Sequence, residues 1–196
     1  MGYGYAIGSV CFVLGSTPLY FDHVDAAIVA ATFFVGSIFF TTAASVQTWT
    51  SRTTLPLFSR HPDRVGWWSA SVQWVGTLEF NVSTFAATIV GLTATQQKRL
   101  VWAPDAIGSI CFLVASVFGV WAVWMVAASR RDRGMAVLNL LGSVAFGFPA
   151  IAAFVLPTTG EVWSIRVVNA GTALGGICFF VAGIWQARPT RRAVVA

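Results

Sequence analysis

Glu79 is the one ionisable side chain that this sequence sets deep inside a long apolar run. Gly76, Glu79, Ser83 and Ala87 recur every three or four residues, so on a helix they share one stripe, small except for the acid. Gln73, Thr77, Asn81, Thr84 and Thr88 form a second, polar stripe beside it. A carboxyl group in such surroundings has two uses. It can move or select a proton or cation, with Gln73, Thr77, Asn81 and Ser83 as neighbouring binding groups. It can instead stay protonated and hydrogen-bond a neighbouring helix. The residues leave both readings open. An acid at the centre of a membrane helix costs on the order of 2.5–3.5 kcal/mol on insertion scales, so either reading expects Glu79 to face the interior of a helix bundle.

Most other chemistry lacks its parts. His23 and His61 are expected on opposite membrane faces and cannot share a metal. No Ser–His–Asp set can assemble within one leaflet, and the paired carboxylates of many intramembrane enzymes are absent. Gly171-Thr172-Ala173-Leu174-Gly175 lies in an apolar span rather than after a strand, so it is no dinucleotide fingerprint. Asp22-His23-Val24-Asp25 reads as a solvated turn with a helix cap, and Asn139 and Asn169 as interhelical hydrogen-bond formers. No catalytic residue, metal site or cofactor is expected.

The elements that must position Glu79 are helices in lipid. Of 196 residues, 57% are apolar and 10% charged, and mean hydropathy is +0.75. A soluble domain of this size needs far more charge to cover its surface. A spanning helix takes roughly 20 apolar residues. The pattern predicts an all-α polytopic membrane helix bundle, a single transmembrane domain over 1–196. Its six transmembrane helices are placed at about 4–21, 24–49, 67–93, 104–128, 134–156 and 166–187. Pro149 predicts a kink in the fifth. No cleavable leader is expected, since the first helix lacks a basic n-region and a small-residue cleavage site.

A short phrase recurs in all six: a small pair, then Phe three residues after the second member. Its first glycines are Gly8, Gly36, Gly76, Gly108, Gly142 and Gly175, and its phenylalanines are Phe12, Phe40, Phe80, Phe112, Phe146 and Phe179. Small residues let membrane helices approach closely. The six glycines, with Gly171, are therefore expected at packing seams. Cys11, Cys111 and Cys178 all take the fourth slot of the phrase and read as small packing residues. Helices 1 and 4 match best, at an offset of 100 residues. That match admits a 3+3 inverted repeat, as in many transporters, or a single packing motif that suits every helix.

Trp68-Ser69-Ala70-Ser71-Val72-Gln73-Trp74-Val75-Gly76-Thr77, the stretch Trp102–Leu113 and the stretch Asn169–Phe179 carry a family resemblance. The chain from helix 2 onward resembles bacterial multi-pass proteins of the YrhK-like type. The resemblance implies a bacterial membrane protein and carries over no functional residue.

Charge sets orientation. Arg52, Arg60, Arg64, Arg130, Arg131, Arg133, Arg188, Arg191 and Arg192 fall on one side of the predicted bundle, and only Lys98, Arg99 and Arg166 on the other. The positive-inside rule puts both termini in the cytoplasm. The net charge of +5 thus reflects topology and not nucleic-acid binding. Tryptophans near the helix ends agree, as an interfacial belt. The expected partners are the lipid bilayer of the cell (inner) membrane and anionic headgroups at the cytoplasmic face; Leu55–Arg60 reads either as a segment resting on that surface, with Arg60 and Arg64 on the headgroups, or as a solvated loop. Small-residue faces suit a homo-oligomer as readily as one chain. Three functions remain open: a transporter or channel-like protein for a small solute or ion with Glu79 in its core, a non-catalytic accessory or assembly protein whose polar residues serve packing, and a membrane enzyme acting on a lipid or quinone.

Overall fold

The computed structural model describes residues 1–154 and 164–188. These residues are helical, and no strand occurs among them. Helix α1 is Gly2–Gly15, α2 is Pro18–Phe21, α3 is Ala26–Thr50 and α4 is Pro62–Ala86. Helix α5, Ala94–Gln96, runs through a π-helical turn at Gln97–Trp102 into α6, Ala103–Trp124. Helices α7, Arg130–Ala152, and α8, Ile165–Ala187, follow. Four of these stretches are long and apolar enough to cross a membrane: Ala26–Thr50, Ala94–Trp124, Arg130–Ala152 and Ile165–Ala187. Helix α1 is shorter, at 14 residues, and α4 is long, at 25 residues, but less apolar because it carries the polar stripes.

Several boundaries move from where the pattern put them. Helix 1 stops at Gly15, not Phe21, because Pro18 has no N–H to extend it; a short second helix starts at that proline. Helix 3 starts five residues early, with His61 as N-cap and Pro62 in the first turn. It ends at Ala86, where the chain turns through Gly91 at a φ of +82°. Helix 4 gains a preceding stretch from Ala94, opened by a reciprocal Thr93–Gln96 capping box. Pro104 cannot donate to a preceding carbonyl, and the wide π turn before it absorbs the fault. Helix 5 starts at Arg130, capped by Ser129, and ends at Ala152 rather than Leu156. Leu156, Pro157, Trp163, Pro189, Arg191 and Arg192 lie outside the described residues.

Each long helix packs on the next, and α8 returns against α1. Helices α1, α3, α4, α6, α7 and α8 therefore form a closed ring. The repeated phrase builds it. Within a hairpin the first glycines meet. A methyl group built on Gly8 would lie 2.8 Å from the Gly36 carbonyl oxygen; on Gly108, 3.0 Å from that of Gly76; on Gly175, 3.0 Å from that of Gly142. Each glycine also receives the partner's phenylalanine, Phe40 on Gly8 and Phe12 on Gly36, Phe112 on Gly76 and Phe80 on Gly108, Phe179 on Gly142 and Phe146 on Gly175. Gly171 meets the Pro149 ring and the Ala145 carbonyl, which that proline leaves without its helical donor.

The second slot of the phrase joins one hairpin to the next. Ser9, Ser37, Thr77 and Ser143 are fully buried. The Ser37 and Thr84 hydroxyls lie 2.9 Å apart across the α3–α4 seam. Ser143 donates to the Phe112 carbonyl at 3.1 Å and Ser109 to the Phe146 carbonyl at 3.4 Å across the α6–α7 seam. On the α8–α1 seam Gly176 has no side chain, and α1 approaches it directly. Arginines tie the connections: Arg64 donates to the Thr53 and Leu55 carbonyls, and Arg131 to the Trp185 carbonyl in the last turn of α8 and to the Arg188 carbonyl just past it.

Gly36→Val should cost about 1–3 kcal/mol or more, because its side chain meets Cys11, the Gly8 carbonyl and Phe12. Gly147→Ala, where a methyl group meets nothing, should be neutral or stabilising by up to about 1 kcal/mol. Thermal unfolding of both variants in detergent, followed by circular dichroism, checks the pair.

Candidate functional site

The six phrase phenylalanines converge on the ring axis, each only 3–6% exposed. They stack as two triangles. Phe40, Phe112 and Phe179 all touch one another, with centroids 5.6–6.3 Å apart. Phe146 joins Phe12 at 5.8 Å and Phe80 at 5.9 Å to make the other layer. The layers interlock through Phe80–Phe112 at 5.1 Å and Phe146–Phe179 at 5.5 Å. Most pairs meet edge-on or tilted, as aromatic quadrupoles prefer.

A cavity lies on each side of this plug, one lined about equally by polar and apolar groups and the other mainly by apolar ones. The terminal cavity, on the side of Gly2 and Arg188, has a volume of 310 Å³ and reaches Phe179. Gln47, Gln73, Asn139, Gln186, Tyr5 and Asp132 supply most of its polar wall. The Tyr5 hydroxyl donates to Gln47 Oε1 at 2.8 Å, and the Asp132 carboxylate accepts from Ser129 at 2.7 Å. Beneath it the Ser116 and Ser143 hydroxyls stand 2.6 Å apart, with the Asn139 carbonyl within hydrogen-bond distance of both. The distal cavity, at the opposite end, has a volume of 590 Å³ and reaches Phe12 and Phe146. Asp105, Asn169, Gln97, Ser83, Thr84 and Thr172 are its polar groups. The two linings share no residue.

The structure does not gather Glu79, Gln73, Thr77, Asn81 and Ser83 into one site. Gln73 lines the terminal cavity and Ser83 the distal one. Thr77 is fully buried in the α3–α4 seam and donates to the Trp74 carbonyl at 2.7 Å. Asn81 donates to Thr41 at 2.8 Å in the same seam, while its Oδ1 is buried without a partner among the described residues. Glu79 is half-buried, lines neither cavity and makes no hydrogen bond among the described residues. The expectation that it faces the bundle interior is thus corrected, and the repeat explains why. Glu79 fills the fourth slot of the phrase, as do Cys11, Cys111 and Cys178, all half-exposed on the flanks of their hairpins. The fifth slot, Phe80, turns about 100° further round the helix to the axis. The three cysteines stand apart on different helices, and no metal-binding group of three or more His, Cys, Asp or Glu occurs among the described residues.

Asn139 and Asn169 depart from expectation too. Their amides line the terminal and distal cavities instead of bonding a neighbouring helix. Asp105 is the functional candidate that the sequence pattern hides. Just after Pro104 it looks like a first-turn residue at the membrane surface. The helical stretch starts at Ala94, about three turns earlier, so Asp105 sits within it and faces the ring interior. The Thr93–Gln96 capping box is the signal that could have exposed this. No family model, curated protein or solved structure matches the chain.

Cysteines introduced singly at Gln73 and Asn169, after the native three are replaced by alanine, should report the two cavities. A thiol reagent that cannot cross the bilayer should label each from one side only, and from opposite sides. Labelling of both from the same side would mean that no plug separates the cavities.

Proposed function

We propose that the chain is a six-span protein of the bacterial cell membrane whose ring of helices forms a gated path for a small solute. The observation that carries this reading is the axial order: a cavity rich in polar groups, two layers of phenylalanine, then a larger and mainly apolar cavity that holds Asp105 and Asn169. A narrow aromatic constriction excludes water and hydrated ions, and a modest shift of rings opens it. The polar lining at either end exchanges for the solute's hydration shell. Helices α1 and α4 join the four apolar helices as spans because each is flanked on both sides in the ring and must cross the same thickness of lipid.

Both termini are read as cytoplasmic. Arg52 sits over Trp49 at 3.5 Å, Arg64 over Trp67 at 4.9 Å and Arg133 over Trp124 at 6.0 Å. Cationic and aromatic groups paired in this way suit the headgroup level of an anionic inner leaflet. Phe58, 87% exposed beside Leu57 and Arg60, suits dipping into that surface. A second copy over the α4–α6 flank would take Glu79 out of lipid, which favours a homo-oligomer. The YrhK-like resemblance belongs to this reading as the same class of multi-pass protein.

The repeating unit in this reading is the hairpin rather than the three-helix half. Consecutive helices occupy the ring in order, so inverting α1–α3–α4 reverses their sense round the axis. No rotation then superposes them on α6–α7–α8, whereas a rotation about the axis relates the three hairpins.

The tight contact of the six rings favours a second reading, a non-conducting accessory protein with a static core. Solute-driven swelling of reconstituted vesicles separates the two. Transport predicts swelling in small uncharged solutes faster than in protein-free vesicles, and a several-fold further rise in Phe146→Ala/Phe179→Ala. Glu79→Gln should leave the rate unchanged. Each Phe→Ala removes about 3–5 kcal/mol of packing, so melting curves accompany the test, and Phe179→Leu provides a milder opening. No permeability in any folded variant would leave the accessory reading.

A further inference from the structure

We propose that the distal cavity binds a small protonated amine, with the Asp105 carboxylate as its counter-charge. The inference deepens the conduit reading by naming a solute class, and rests on it only in treating the distal cavity as an entrance.

Three features of the cavity select this chemistry. The first is one carboxyl group without a partner. Asp105 makes no ion pair or hydrogen bond with another side chain among the described residues. The nearby basic residues Lys98, Arg99 and Arg166 are absent from the lining, and the Lys98 ammonium is turned onto the Phe154 ring at 5.1 Å. A carboxyl group facing a half-open cavity without a partner is stabilised in its charged form when a cation enters.

The second is aromatic walling. Phe12 and Phe146 form the floor, and Trp102 lies on the wall beside Asp105. The Trp102 indole N–H is already committed to the Ala150 carbonyl at 2.8 Å, so its ring is what it offers. Ring faces attract ammonium groups and accept the alkyl chain that accompanies them. The π turn places this residue. It runs from Gln97 to Trp102, so both of its ends contribute to the lining.

The third is the sparsity of the polar set. Asn169 also makes no side-chain hydrogen bond among the described residues, and its amide oxygen can accept a second ammonium proton. Asp105 and Asn169 thus give two acceptors for one –NH₃⁺. A bare metal cation wants several oxygen ligands closed round it. A 590 Å³ space with a single carboxylate does not supply them, and no metal-binding cluster occurs among the described residues. An organic ammonium fits within the space and needs only the one charge.

The test titrates n-butylammonium chloride into the purified full chain by calorimetry at neutral pH, where the amine is charged. Sodium chloride and n-butanol serve as controls for charge and for alkyl chain. Saturable binding of the amine and neither control is expected. Asp105→Asn should weaken it at least about tenfold, Asn169→Ala should weaken it less, and Asp105→Glu should retain it. If Asp105→Asn does not fold, the Asn169→Ala and Asp105→Glu pair decides. Binding unchanged in folded Asp105→Asn, or no binding to the wild type, overturns the proposal. Vesicle permeability to uncharged solutes is read in parallel. Permeability without amine binding removes the amine site and keeps the conduit, while amine binding without any permeability removes the conduit and keeps the site.

Discussion

Each hairpin is held by a reciprocal exchange: the glycine of one helix receives the phenylalanine of the other, three times round the ring. Lipid offers no hydrophobic reward for helix association, so contact must come from close packing. Glycine lets the backbones approach until a carbonyl oxygen fills the space a methyl group would take. Phenylalanine then cannot lie between the helices at that level, and it projects past the glycine to the axis. The same constraint therefore makes both the wall and the plug. The Cβ atoms of Cys11, Cys111 and Cys178 lie over Gly36, Gly76 and Gly142 in the same seams.

Much of this was legible. The periodic small pair marked the six helices, and the seam role of the glycines followed from residue size. The boundaries failed where local backbone chemistry outweighed hydropathy: Pro18 split the first helix, and α4 ended at Ala86 in a run of turns that leads to Gly91 while the apolar run continued. The placement of Glu79 failed for another reason. A stripe shows which residues share a face, but not which face meets the axis. Its stripe-mate Gly76 does lie in a seam, yet the phrase itself held the answer. Phe80 had to point inward if every phrase phenylalanine behaves alike, and its predecessor in the fourth slot then had to point to the flank. Asp105 was hidden by the reverse error, in which a proline was read as a helix start when it sits inside a longer helical stretch.

Polar residues in this ring fall into two populations with different duties. Serines and threonines of the second slot hand their protons to carbonyls of their own or the adjacent helix, as Ser143 and Ser109 do. They satisfy themselves within the wall and leave nothing for a ligand. The amides and carboxylates at the ends, Gln73 and Asn139 at one and Asp105 and Asn169 at the other, retain unspent capacity facing a cavity. That division separates groups that hold the protein together from groups free to meet something else, and it places recognition at the two ends rather than in the middle.

The convergence of the six rings on one axis is the claim on which the rest turns. Ring-to-ring contacts between labelled phenylalanines, measured by magic-angle-spinning NMR on the protein in lipid bilayers, test it most directly. Cross-peaks should join Phe40 to Phe179 at 6.0 Å and Phe12 to Phe146 at 5.8 Å, pairs on helices that are not neighbours in the ring. Rings that show contacts only within their own hairpins, or exchange magnetisation with water in every layer, would contradict a dry plug at the centre of a closed ring.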